Sequence, residues 1–158
     1  MKMLAAFTVE GLPAPQGSKT AVMWGDRPGL IEGGSKVGRA KHKAWREAVE
    51  HVASQVRADE PYDGPLSVSV DFRMPMPKSR PAAVKRAGIG WHSVKPDKDK
   101  LLRSTLDGLT AGGLIADDAR VARILLTATE TTGQAGADIV VHQLKSVQAE
   151  PQGTDSAS

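Results

Sequence analysis

The sequence predicts an α/β domain of the α+β type, two layers deep, with a mixed sheet carrying its helices on one face. Three observations predict it. Leu66, Val68, Val70, Phe72 and Met74 alternate with Ser67, Ser69, Asp71 and Arg73, the two-residue period of a strand with one buried face. Trp45, Val49, Val52 and Val56 recur at steps of 4, 3 and 4, which is one face of a helix. Leu102, Leu106 and Leu109 mark a second helical face, flanked by Leu101 and Thr105.

The other elements follow in chain order. "MLAAFTVEG" reads as a first strand, stopped by Gly11 and Pro13. A Pro/Gly-rich loop follows, with a short strand at Ala21–Trp24. It is no Walker-type phosphate loop: Gly11 and Gly17 are one residue too far apart, and Ser18 intervenes before Lys19. Lys19 remains a simple charge for a phosphate. The stretch from Gly33 begins as a basic loop and continues as the Trp45 helix, ended by Pro61 and Gly64. "PMPKSRPAAVKRAGIG" is a proline-bounded basic excursion with a turn of helix at Ala82–Ala87. The helix after Pro96 is stopped by Gly112 and Gly113. "ARVARILLTATETT" and "GADIVVHQLKS" are two strand-like runs around Gly133 and Gly136, expected to pair as a hairpin. One domain is expected over residues 1–147, and a small polar tail over 148–158 is expected to be disordered.

A chain of 158 residues is most simply one domain, and 40% hydrophobic residues suffice for one core. Aromatics are only 4%, so aliphatic side chains must do most of the packing. A net charge of +3 and a pI near 9.3 favour an anionic partner. The absence of cysteine excludes disulfides, zinc-thiolate sites and cysteine nucleophiles, and fits a reducing cytoplasm. The N-terminal apolar run is too short for a signal peptide, and no run approaches a membrane span. A cytoplasmic protein without membrane association or organic cofactor is expected. His42, His51, His92 and His142 lack zinc-ligand spacing, and Ser93 and Ser104 lack a Gly-x-Ser-x-Gly motif. His42 reads as a surface histidine, and Trp24, Trp45 and Trp91 read as core or edge residues.

The stretch from Lys95 to Val121 holds five aspartates: Asp97, Asp99, Asp107, Asp117 and Asp118. From Phe72 to Pro96 there is no acid, but there are six Lys or Arg residues. Taken singly, Asp97 suits an N-cap, and Asp117 and Asp118 suit a turn. Together they are less ordinary. Asp99, Arg103 and Asp107 are spaced i, i+4, i+8 and share a helix face. The turn over residues 112–116 is expected to bring Asp117 and Asp118 back toward the helix. Carboxylates without His or Cys are hard ligands, suited to Mg²⁺ or Mn²⁺. Such an ion turns repulsion of a phosphodiester into attraction and activates water. Arg103 either stabilises phosphoryl charge or pairs with its helical neighbours.

The segment as it stands, "PDKDKLLRSTLDGL" followed by "ADDARV", resembles the signature of the RusA family of Holliday junction resolvases of bacteria, prophages and phages. That signature runs, in outline, Pro-Asp-x-Asp-Asn-Leu-x-Lys, then a helix with a further Asp, then Asp-Asp-x-x-Val. Lys100 stands where the family has Asn, and Arg103 where it has Lys. The order of elements around the segment also agrees. The resemblance implies a RusA-like fold over residues 1–147. It implies a homodimeric, Mg²⁺-dependent endonuclease (with Mn²⁺ as the alternative ion) that resolves four-way DNA junctions by paired symmetric nicks. The essential, metal-binding aspartates then fall on Asp97, Asp99 and Asp118, and the functional cation on Arg103. A two-fold junction is best met by two equivalent sites.

Phosphate contacts are expected from Lys19, Lys36, Arg39, Lys41, Lys43 and Lys95, with steep salt dependence. Trp91, after the basic tract, is the one tryptophan placed to act as a junction wedge. Two competing readings are a non-catalytic, structure-selective DNA-binding protein and a nuclease of broader branched-DNA specificity. Metal dependence separates the first from a resolvase, and preference for a four-way junction separates the second.

Overall fold

The computed structural model describes residues 1–17 and 19–145, with backbone only for Lys19, Thr20, Ile31 and Glu32. The expected tail over 148–158 and the last two residues of the expected domain lie outside the described residues. In chain order the elements are β1 (Lys2–Glu10), β2 (Lys19–Trp24), β3 (Arg27–Glu32), α1 (Lys36–Val56), β4 (Leu66–Pro75), α2 (Ala82–Ala87), β5 (Ile89–Trp91), α3 (Lys98–Ala111), a 3₁₀ turn (Asp118–Arg120), β6 (Val121–Thr131) and β7 (Gly136–Gln143). The fold is α+β, as the sequence predicts. No helix among the described residues is long and apolar enough to cross a membrane.

The alternating run becomes the central strand. Leu66, Val68, Val70, Phe72 and Met74 of β4 are buried, and Asp71 on the opposite face is exposed. The five-stranded sheet has the order β1-β7-β4-β6-β5, and β2–β3 form a separate hairpin. β4 runs parallel to β6 and antiparallel to β7. The expected β6–β7 hairpin is therefore corrected: β4 lies between the two strands. Their connector, residues 132–135, extends to ~13 Å, enough to step across two strand spacings of ~10 Å.

β3 and β5 extend the sequence reading. Pro28 and Gly29 read as breakers, yet β3 pairs with β2 from Trp24 opposite Arg27 to Lys19 opposite Glu32. The two-residue turn Gly25–Asp26, with Gly25 at φ 65°, was the available signal. β5 has only three residues, too few to show a period.

α1 starts earlier than expected, so the basic stretch from Lys36 is helix rather than loop. Ser35 sets the start: its Oγ accepts a hydrogen bond from the Gly38 N–H at 3.0 Å. The buried stripe is His42, Trp45, Val49 and Ala53, while Val56 is exposed. His42 is thus a buried residue, corrected from a surface one. On α3, Leu101 and Leu109 are fully buried and Leu102 only half-buried. The small residues Ser104, Thr105 and Gly108 are buried with them because other chain segments approach that side closely. Ser104 Oγ donates to the Ala14 carbonyl at 2.7 Å, and the Gln16 N–H donates to the Lys100 carbonyl at 3.2 Å, which clips the Pro-rich loop along α3. Trp45 Nε1 donates to Thr105 Oγ1 at 3.1 Å, and its ring tilts against Phe72.

At the far side of the sheet, Glu130 is fully buried on β6. Arg80 grips its carboxylate with two hydrogen bonds, Nε to Oε2 at 2.8 Å and Nη2 to Oε1 at 2.6 Å. Buried His92 stands 3.4 Å away through Nδ1. This pair ties the basic excursion to the sheet. Arg80 holds the Glu130 carboxyl below its ordinary range, and burial holds the His92 imidazole below its own.

Three stability outcomes are expected. A Cβ on Gly108 would lie 2.7 Å from the Val49 side chain and 3.0 Å from the Arg46 carbonyl oxygen. Gly108→Ala therefore costs about 1–3 kcal/mol by overpacking, read from urea unfolding. Both Glu130 and His92 have folded pKa values below their unfolded ones, so each contributes stability that is present above the unfolded value and lost as pH falls. Unfolding free energy should fall in two steps, below ~6.5 and then below ~4.3, and His92→Asn should flatten only the upper step. Glu130→Ala, which removes both hydrogen-bond acceptors of the Arg80 side chain, should lower the unfolding free energy at pH ~7.

Candidate functional site

Pro96 and the apolar stripe of α3 place Asp97 at the helix start. Its backbone is extended, φ −63° and ψ 136°, as an N-cap requires, yet its carboxylate makes no capping hydrogen bond. The carboxylate is exposed and lies 3.9 Å from Lys100 Nζ. Ser35 caps α1 through its side chain, and Asp117 caps the 3₁₀ turn, accepting from the Ala119 N–H at 2.8 Å. Asp97 is an N-cap by position only. Asp99 follows in the first turn, exposed, where the helix dipole favours a carboxylate. Arg103 is exposed one turn on, and among the described residues no ion pair joins it to Asp99 or Asp107.

The other acids gather at the far end of α3. Gly113, at φ 75°, reverses the chain. Tyr62 then holds the return by pairing with Ile115, its N–H donating to the Leu114 carbonyl at 3.2 Å and its carbonyl accepting from the Ala116 N–H at 3.0 Å. The result is an open cleft of about 420 Å³ lined by Arg46, Glu50, Asp107, Thr110, Asp117 and Asp118, among others. The hydrogen bond with Asp117 pushes the Asp118 carboxyl above the usual range, and burial and the Asp107 charge add to it. The Ala119 N–H and Asp118 together hold Asp117 below that range. Asp107 is thus a neighbour of Asp118, a role its helical spacing from Asp99 did not suggest.

Asp97 and Asp99 do not line this cleft. The 14 residues of α3 span ~21 Å, with these two at one end and Asp107 two turns along. The donor chemistry of the three expected ligands suits a hard divalent ion. Their placement in one chain does not, since among the described residues no three His, Asp or Glu come together to enclose a metal.

Basic residues surround the Asp97 end. Lys36, Arg39, Lys41 and Lys43 are exposed on the first turns of α1. Arg39 Nη1 also donates to the Gly34 carbonyl at 2.7 Å, and Lys43 stands 3.9 Å from Glu47. Lys41 lines a mainly apolar cleft of about 400 Å³ with Pro13, Ala14, Met74 and Pro96, next to Asp97. Lys95 is exposed beside Pro96. Lys19 belongs to β2 by its backbone, and its side chain lies outside the described residues. Of the tryptophans, Trp45 is core, and Trp24 and Trp91 are exposed.

The chain is 35% identical over 111 residues to an uncharacterised Bacillus subtilis protein, YqaN, covering 65% of this chain and 72% of that one. The family model for endodeoxyribonuclease RusA matches residues 25–142, a span that runs from the β2–β3 turn to β7 and includes every aspartate of the motif. The chain belongs to the RusA endodeoxyribonuclease family.

Proposed function

We propose that the protein is a homodimeric, Mg²⁺-dependent endonuclease that resolves four-way DNA junctions by paired symmetric nicks. The observation that carries this reading is Asp97: a carboxylate at a helix start, exposed and unused as a cap, with Asp99 two residues on in the first turn and cations on the facing segments. Asp97, Asp99 and Asp118 are the proposed ion-binding carboxylates, with Mn²⁺ the alternative ion. Arg103, exposed on the Asp99 side of α3, offers a guanidinium to the phosphate oxygens. Lys36, Arg39, Lys41, Lys43 and Lys95 hold the flanking backbone, and Lys19 extends that surface from β2.

The start of α1 supports the DNA-binding half. Its first turn holds no acid, so Lys36 and Arg39 add positive charge where the helix dipole is already positive. That arrangement weakens the free protein and favours a polyanion. The apolar cleft beside Lys41 gives the same surface room for sugar and base edges.

Cleavage and binding assays test this. On an end-labelled four-way junction with Mg²⁺, the parent nicks symmetrically and spares a linear duplex, and EDTA abolishes cleavage. Asp97→Asn or Asp118→Asn should lower cleavage at least ~100-fold while junction binding survives, and cutting at the parental rate by both variants would sink the assignment. Junction binding with no nicks under any divalent ion would favour a non-catalytic binder. Lys36→Glu should raise stability by about 0.3–1 kcal/mol, yet weaken junction binding and reduce its salt slope by about 1.

A further inference from the structure

We propose that the β2–β3 hairpin enters the branch point of the DNA, where the Trp24 indole stacks on a base face that the interrupted duplex leaves uncovered. The proposal rests on the junction reading above and deepens it, by naming the part of the chain that tells branched DNA from a plain duplex.

The hairpin stands apart from the main sheet. β2 and β3 pair in an unbroken register and form a two-stranded sheet of their own, each packing mainly on the other. A ribbon this small is marginal in water and normally gains stability by covering its apolar side chains. This one leaves them out: Met23, Trp24 and Leu30 are 64%, 63% and 64% exposed. The register sorts them onto two faces. Met23 stands opposite Pro28 and Ala21 opposite Leu30, all four exposed on one face. Trp24 stands opposite Arg27 on the other, beside the turn at Gly25–Asp26. Gly29 shares that second face through its partner Val22, and a Cβ on it would lie 3.0 Å from the indole. Glycine there lets the ring rest across the ribbon, held in place while most of it meets solvent.

Nucleic acid is the partner that fits. The foot of the hairpin is built into the cationic surface. Gly33 and Gly34, directly after β3, line the cleft that holds Lys41 and Pro96, and Ser35 caps the helix that presents Lys36 and Arg39. A polyanion held there lies at the base of the hairpin. Strands of six residues reach about 20 Å, and a two-stranded ribbon is narrow enough for a groove about 12 Å wide. The tip carries the residue types that meet bases: an aromatic ring that stacks on any base, a guanidinium beside it, and Met and Pro as an apolar wedge on the reverse face. In an intact duplex every base pair is covered by the next, so such a tip finds no open face. At a branch point the stack is interrupted and one is open. An apolar protein partner would cover Met23 and Leu30 but would not answer the cations at the foot. The matched span begins at Gly25, so β2 and Trp24 lie outside it. Trp91, the tryptophan the sequence favours as a wedge, lies instead on β5, opposite Thr129 at the border of the main sheet.

Binding is measured in EDTA, on a four-way junction and on a linear duplex of equal length. Trp24→Ala should weaken junction binding about 10–100-fold and leave duplex binding within about 2-fold, with an unchanged circular dichroism spectrum. Trp24→Phe should recover most of that loss, and Gly29→Ala, which pushes the indole off the ribbon, should reproduce part of it. A 5-iodouracil at the branch point should photocrosslink to Trp24 of the parent, identified by mass spectrometry, and one in the middle of a duplex arm should not. Equal losses on junction and duplex would make Trp24 a general DNA contact and overturn the branch-point role. Unchanged DNA binding with a lower sedimenting mass would assign the hairpin to a second copy of the chain and overturn the proposal. A junction-selective loss from Trp91→Ala, with Trp24→Ala silent, would move the wedge to β5 and overturn it equally. In all three cases the parent still binds junctions and the nuclease reading stands. A parent that binds no DNA overturns that reading and the role of the hairpin with it.

Discussion

The close approach of α1 and α3 is the constraint on which the rest depends. Gly108 lies against Val49 and the Arg46 carbonyl, and Gly112 against Ala53 and the Glu50 carbonyl. Only glycine lets two helices meet backbone to side chain at that distance. The approach lets the Trp45 indole reach Thr105 and sets Arg46 and Glu50 opposite Asp107 and Asp118. It also orients α3 end to end, with Asp97 beside the cations of α1 and the 3₁₀ turn at the far end. Any loosening there would move both halves of the acidic set at once.

Polar burial is used sparingly, and three of the buried groups have identifiable partners. Ser104 and Thr105 replace apolar residues on the inner face of α3 because each meets a fixed partner, the Ala14 carbonyl and the Trp45 N–H. Glu130 is the costly case, a carboxylate deep in the sheet, and Arg80 compensates it in a bidentate grip. The reward is positional: a basic excursion rich in proline and small residues is held to the sheet through Arg80 as well as through Met76, Gly88 and β5.

Local pattern was legible and distant pairing was not. β4 was readable because its period is unbroken, and α3 because Pro96 and Gly112–Gly113 bracket a leucine stripe. β3 was hidden by Pro28 and Gly29, which a hairpin at the margin tolerates. The β6–β7 hairpin was misjudged because sequence proximity cannot reveal that β4 competes successfully for both neighbours. Leu102 was placed at the centre of the buried face because no local signal announces that Gly108, Ser104 and Thr105 turn inward. At the site, residue types and spacing named the aspartates, but the separation along α3 depends on where the turn at Gly113 returns the chain. Glu130 followed the alternation of β6 onto the core face, and only Arg80, fifty residues earlier, explains it.

The order of the sheet also sets the order in which the protein can exist. β4 stands at its centre, and both its neighbours, β6 and β7, come later in the chain. Among the described residues β1, the earliest of these strands, pairs only with β7, the latest of them. A ribosome must therefore release the segment up to Gln143 before either the first strand or the central one is fully satisfied. Such non-local pairing slows closure, because the chain must bridge its whole length before the contact repays it. A nascent chain stopped before Gly136 holds an exposed apolar β4 flank and an unpaired β1, so the protein becomes a domain only when its C-terminal strand arrives.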